Sequence, residues 1–169
     1  MNILQNTYQI LFKPNEAFDE LIENYNLNVF LQGLIIFIAA NLIANKFSLT
    51  SLFGPTINLL FLSFYIFLTA YVFVLRGKDF FKLLGLLAFS ALPLIFTEVL
   101  NILSFDIGSF QLLFKLLVLI WIFKLQLIVI TKVCKVSEAK ATLIYMIVPL
   151  AIAFFFALSI MKLIIGLIT

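Results

Sequence analysis

The chain has 169 residues, 64% of them hydrophobic and only 11% charged, with a net charge of +3. A water-soluble domain carries about 25% charged residues, and a small globule has too much surface to cover with so few polar side chains. Composition therefore excludes a soluble protein and points to an all-α, polytopic membrane protein. Histidine is absent and Cys134 is the single cysteine. These counts exclude His-ligated metals, His-based acid–base catalysis and an intramolecular disulfide.

The first 26 residues form a unit of their own, expected to be a cytoplasmic amphipathic segment ahead of a transmembrane domain over 27–169. The opening "MNILQNTYQI" lacks the basic and apolar regions of a cleavable signal peptide, so it is expected to be the mature start. Within "KPNEAFDELIENYN", Ala17, Phe18, Leu21, Ile22 and Tyr25 recur at helical spacing. Glu16, Asp19, Glu20 and Glu23 occupy the other side. Pro14 suits a first helical turn, where its missing N–H costs nothing, and acidic groups there complement the helix dipole. Such a helix is expected to lie in the membrane interface with a solvated polar face. The alternative is an acidic surface offered to a basic partner.

A helical span needs roughly 20 mostly apolar residues to cross about 30 Å of hydrocarbon. Five stretches qualify: about 27–45, 56–75, 81–103, 110–131 and 141–167. The connections "KFSLTSLFGP", "RGKDF", "SFDIGS" and "KVCKVSEAK" are short, which implies antiparallel neighbours in one bundle. Basic residues then set the orientation. Lys13, Arg76, Lys78, Lys82, Lys132, Lys135 and Lys140 share the N-terminal side; the other side has Lys46, with Lys115 and Lys162 near helix ends. The N-terminus is expected in the cytoplasm and the C-terminus outside.

In the third span, Ser90, Pro93, Thr97, Asn101 and Ser104 fall on one stripe, flanked by Glu98. Lipid offers no hydrogen-bond partners, so the stripe is expected to face other helices. Pro93 removes one backbone bond and is expected to kink the span, as is Pro149 in the fifth. Glu98 lies ~9 Å from the outer end of its span at a rise of about 1.5 Å per residue. Lys115 enters the fourth span at nearly the same depth, so a Glu98–Lys115 pair is expected. Lys124, ~21 Å from that end, is expected to snorkel to the cytoplasmic surface. Asn41, Asn45, Asn58, Asn101 and Gln111 join the pair in an outer-half polar cluster. That cluster reads either as glue between helices or as a substrate or ion site. No paired intramembrane carboxylates, Gly-rich phosphate loop or HExxH motif occurs, and Ser90 has no identifiable base. No catalytic residue, cofactor or metal site is assigned, and nucleic acid is not an expected partner. The lipid bilayer is, with membrane proteins or a second copy of the chain as further candidates.

Three segments resemble the Yip1 family of small multi-span membrane proteins. "ILFKPNEAFDELIEN" is similar to the Phe/Pro-containing helix before the first span in prokaryotic members. "LLGLLAFSALPLIF" is similar to the family's third span through Ser90 and Pro93. The stretch "LVLIWIFKLQLIVITKVCKVSEAKATLIYMIVPLAIAF" shares its layout of span, short basic loop and Tyr145-xxx-Pro149. The resemblance covers about 8–165. It implies five spans with a cytoplasmic N-terminus, in a prokaryotic cell membrane. Eukaryotic members act in vesicle trafficking and bind Rab GTPases. "SLFGP" at 51–55 lacks the Asp of the family's Asp-Leu-x-Gly-Pro motif and lies between spans, so that role is not carried over.

The expected function is therefore that of a non-enzymatic, Yip1-like membrane protein acting through helix packing with lipid or protein partners. The alternative is a small transporter or substrate-binding subunit using the cluster around Glu98. Seven basic residues against three predict the topology: a C-terminal reporter active only in the cytoplasm should be silent, and strong activity would overturn the five-span arrangement.

Overall fold

Asparagine, proline and aspartate side chains mark where several helices of this chain begin. The fold was obtained as a computed structural model, which describes residues 3–74, 79–102, 108–147, 150 and 154. Among these, every regular element is helical. In order they are α1 (Ile3–Phe12), α2 (Pro14–Glu23), α3 (Leu27–Ala44), α4 (Phe53–Val74), α5 (Phe80–Phe89), α6 (Ile95–Ile102) and α7 (Gly108–Cys134), with α8 over 138–147. Pro14 opens α2 at its first turn. The Asn26 carboxamide oxygen accepts from the Val29 N–H at 3.1 Å to start α3. Asp79 does the same for the Lys82 N–H at the start of α5.

Four stretches are long and apolar enough to cross a bilayer: Leu27–Ala44, Leu49–Val72, Phe80–Glu98 and Gln111–Cys134. The expected fifth span begins with α8; most of it, Pro149 included, lies outside the described residues. The third stretch is central: 61% of its residues are buried, against 22–33% in the other three. Outward faces of α4 and α7 carry Ile57, Phe61, Phe64, Leu112, Leu116 and Ile120, all exposed. In water such a surface would associate; in lipid it is ordinary.

The third span is interrupted rather than simply bent. α5 ends at Phe89, a 3-10 turn covers Leu92–Leu94, and α6 restarts at Ile95. Pro93 has no N–H to continue the ladder. The backbone tightens to three-residue bonds instead, from Ser90 N–H to Leu87 and from Leu94 N–H to Ala91. The Ser90 hydroxyl also donates to the Leu87 carbonyl at 2.6 Å.

α3 and α5 cross at two glycines. A Cβ on Gly33 would stand 2.3 Å from the Gly85 carbonyl oxygen, and one on Gly85 would stand 2.8 Å from the Phe30 ring and from the Tyr25 hydroxyl. The backbones touch here, as small residues allow in membrane bundles.

The N-terminal segment is two helices, and its apolar stripe is covered by protein where the sequence suggests contact with lipid. Ala17, Phe18 and Leu21 are buried where α2 packs on α1, α5 and α7. Full burial of side chains the size of Phe18 and Leu21 stabilises by about 1.5–3 kcal/mol each, a part of what opposes an ordering cost of about 1–2 kcal/mol per residue. α1, not anticipated from sequence, buries Asn6 and Ile10, and the Asn6 amide donates to the Gln32 oxygen of α3 at 2.7 Å. Polar ties then hold α2 in place. Lys132 meets Asp19 at 2.6 Å, the Lys82 ammonium donates to the Ile22 carbonyl at 2.8 Å, and the Tyr25 hydroxyl donates to the Phe81 carbonyl at 2.6 Å. Burial, reinforced by the charge of Asp79, pushes the Tyr25 phenol up to about 12, so it remains a donor at any physiological pH.

The glycine crossing makes a contrast that thermal unfolding in detergent can read. Gly33→Ala should lose about 1–3 kcal/mol through overpacking. Gly54→Ala, where an added Cβ meets nothing within 4 Å, should change stability by no more than about 0.5 kcal/mol. Equal responses would overturn the close α3–α5 crossing.

Candidate functional site

A cavity of about 470 Å³ opens between α3, α4, α7 and the interrupted third span. The interruption accounts for it. Where α5 gives way to the 3-10 turn, the side chains facing inward are Ser90 and Ala91, too small to fill the space a regular helix would hold with leucines. Gly54 and Pro55 open the first turn of α4 on the opposite wall. Leu59, Leu94 and Ile122 supply apolar surface. Four polar side chains share the lining: Asn41, Asn58, Ser90 and Gln126.

Their hydrogen bonds differ. Asn41, buried, donates its amide to the Phe37 carbonyl one turn back at 2.9 Å. Ser90 is bound to Leu87 as described. The Gln126 oxygen accepts from the Tyr145 hydroxyl of α8 at 2.8 Å, and the Tyr145 ring stands edge-on to Phe123, 4.9 Å between centroids. Asn58 is exposed, and its carboxamide makes no hydrogen bond among the described residues. No charged side chain is among the described residues that line the space. The arrangement therefore offers neutral donors and acceptors on an apolar wall.

Of the residues singled out from sequence, Asn41 and Asn58 come together here, while Glu98, Gln111 and Lys115 do not line the cavity. Glu98 is partly buried in α6 and Lys115 is exposed on α7. The pair expected between them stays an expectation, which a double-mutant cycle can test. In the N-terminal half of α7, Val118 is buried and Phe114 partly so, and Lys115 stands off that stripe. Asn101 lies in α6, but its side chain is outside the described residues. Lys124 lines a second pocket, of about 270 Å³, with Lys132, Thr131 and Asn15. That places it toward the end of α7 that meets α2. Gln126 escaped notice in the sequence. Its spacing from Leu119 and Ile122 is the signal, since these three share one helix face. Among the described residues no group of three or more His, Cys, Asp or Glu is assembled.

The expected Glu98–Lys115 pair is read by a double-mutant cycle on detergent-solubilised protein: Glu98→Gln and Lys115→Leu should couple by more than about 0.5 kcal/mol. Additive effects would remove the pair.

The Yip1 domain pattern matches residues 8–161 of this chain. No curated protein and no solved structure is a match to it. The match takes in α3, α4, the interrupted third span and all of α7, the elements that line the cavity, and the chain belongs to the Yip1 family.

Proposed function

We propose that this Yip1-family protein is a non-enzymatic component of a prokaryotic cell membrane that acts by contact, with lipid and with membrane-protein partners or a second copy of itself. One observation carries the proposal. Four polar side chains within the spans are spent on their own helices' backbones. Asn41, Ser63, Thr69 and Thr131 donate to the carbonyls of Phe37, Leu59, Tyr65 and Leu127, each one turn back. Groups used in this way satisfy themselves in lipid and build no polar pathway. The N-terminus on the cytoplasmic side, with the C-terminus outside, belongs to this proposal and follows from the basic residues of the loops.

The cavity supports a second reading, a site for a small ligand. Its lack of charged lining residues favours a neutral ligand over an ion, and its separation from Glu98 argues against proton-coupled transport. Two measurements decide between the readings. Cross-linking in native membranes should give discrete higher-mass species, equally for the wild type and Glu98→Gln. A pH-sensitive dye trapped in liposomes holding the protein should report no proton flux above protein-free vesicles. Flux abolished by Glu98→Gln would put transport first.

A further inference from the structure

The cavity between α3, α4, α7 and the interrupted third span has the chemistry of a lipid seat. Its volume of about 470 Å³ falls within the roughly 300–1,000 Å³ of small-molecule sites. Whatever enters must be uncharged along the buried part. Among the described lining residues none carries a charge, and an ion taken out of water without a counter-charge is strongly disfavoured. The donors are unequally committed. Asn41 and Ser90 already donate to Phe37 and Leu87, and Gln126 is tied through its oxygen to Tyr145, which leaves its amide N–H groups as donors on the α7 wall. The Asn58 carboxamide, by contrast, has no hydrogen bond among the described residues.

Position completes the case. Asn58 lies five residues beyond Phe53, the first residue of α4, or ~7.5 Å along the helix. That is close to the end of a membrane span, near the depth where the ester groups of bilayer lipids lie, between the headgroups and the hydrocarbon core. Leu87, Ala91, Leu94, Leu119 and Ile122 make the rest of the lining largely apolar, with Ser90 and Gln126 among them. A neutral donor with no protein partner among the described residues, near one end of a largely apolar trough, matches an ester carbonyl followed by a hydrocarbon chain. We propose that the cavity holds one acyl chain of a bilayer lipid, whose ester carbonyl accepts a hydrogen bond from Asn58. This deepens the contact role proposed above, and rests on it, by naming the lipid contact.

The test uses the full chain in nanodiscs made with ester-linked phosphatidylcholine that carries a diazirine on one acyl chain. After irradiation, labelled peptides are mapped by mass spectrometry. Label should concentrate on Leu87, Ala91 and Ile122. An ether-linked analogue, which lacks the acceptor carbonyl, should compete about fivefold less well, the ratio expected of one hydrogen bond. Asn58→Leu should abolish that preference. Gly54→Leu places a side chain where an added Cβ meets nothing within 4 Å; it should reduce cavity labelling to the level of the outward-facing Phe61 and Leu116 while leaving the unfolding midpoint in place. Even labelling across cavity and outward faces, unchanged by either variant, overturns the seat. If Gly54→Leu fails to fold, the ester-to-ether ratios of the wild type and Asn58→Leu decide alone. Even labelling with the cross-linked species intact would remove the lipid seat and leave the contact role standing; loss of the cross-linked species would remove the contact role itself.

Discussion

Everything else in this bundle is arranged around the contact of Gly33 with Gly85. With 2.3 Å between a notional Gly33 Cβ and the Gly85 carbonyl oxygen, neither position has room for a side chain. The gain is not hydrophobic, since lipid tails are as apolar as leucine. It comes from van der Waals contact along two backbones that lie unusually close. Closeness here also brings Tyr25 and Phe30 against α5, which places the Tyr25 hydroxyl on the Phe81 carbonyl. One small-residue crossing thus fixes the depth of α5 and the docking of the N-terminal helices together.

Burial of α5 has a consequence for polar groups. Residues 83–93 are all buried, so every backbone group in the interruption at Pro93 has to be satisfied by protein. The tightened three-residue bonds and the Ser90 hydroxyl do part of that work. The same economy runs through the other spans, where Asn41, Asn45, Ser63 and Thr131 each bond the carbonyl one turn back. Among the described residues, ties between spans use longer side chains: Tyr65 to the Ile144 carbonyl, and Tyr145 to Gln126. Tyrosine can make them because its ring packs in the apolar layer while its hydroxyl reaches past it.

The spans were legible in the sequence because lipid imposes a length and a composition on them; the first was placed at 27–45 and is found at Leu27–Ala44. Side-chain partners were not legible. Depth along a helix follows from residue counting, but the direction a side chain faces depends on how each helix is rotated about its axis. Lys115 shows the difference: counting residues gives its place along α7, but not that its side chain is exposed. The N-terminal segment shows another limit. An amphipathic helix looks the same in sequence whether its apolar face meets lipid or protein, and only the position of α7 reveals that Phe18 and Leu21 are covered by the bundle. Of the polar cluster, Asn41 and Asn58 share a cavity because both lie near the α3–α4 connection, where chain continuity alone brings them close.

A void inside a soluble protein is unfavourable because its lining atoms lose dispersion partners that nothing replaces. The same void in a membrane bundle stands in a fluid made of hydrocarbon chains, and a trough lined by Leu87, Leu94 and Ile122 can regain those contacts from the surrounding solvent. Filling by itself would then be unselective, any chain serving as well as another. Selectivity requires a group whose satisfaction depends on which molecule enters. In lipid an unmet amide donor is costly, so the Asn58 carboxamide turns passive filling into recognition: it favours a chain that arrives with a carbonyl at the right depth. The break at Pro93 provides the room and Asn58 provides the choice, and neither needs a charge or a reactive group, in keeping with the contact role proposed for this chain.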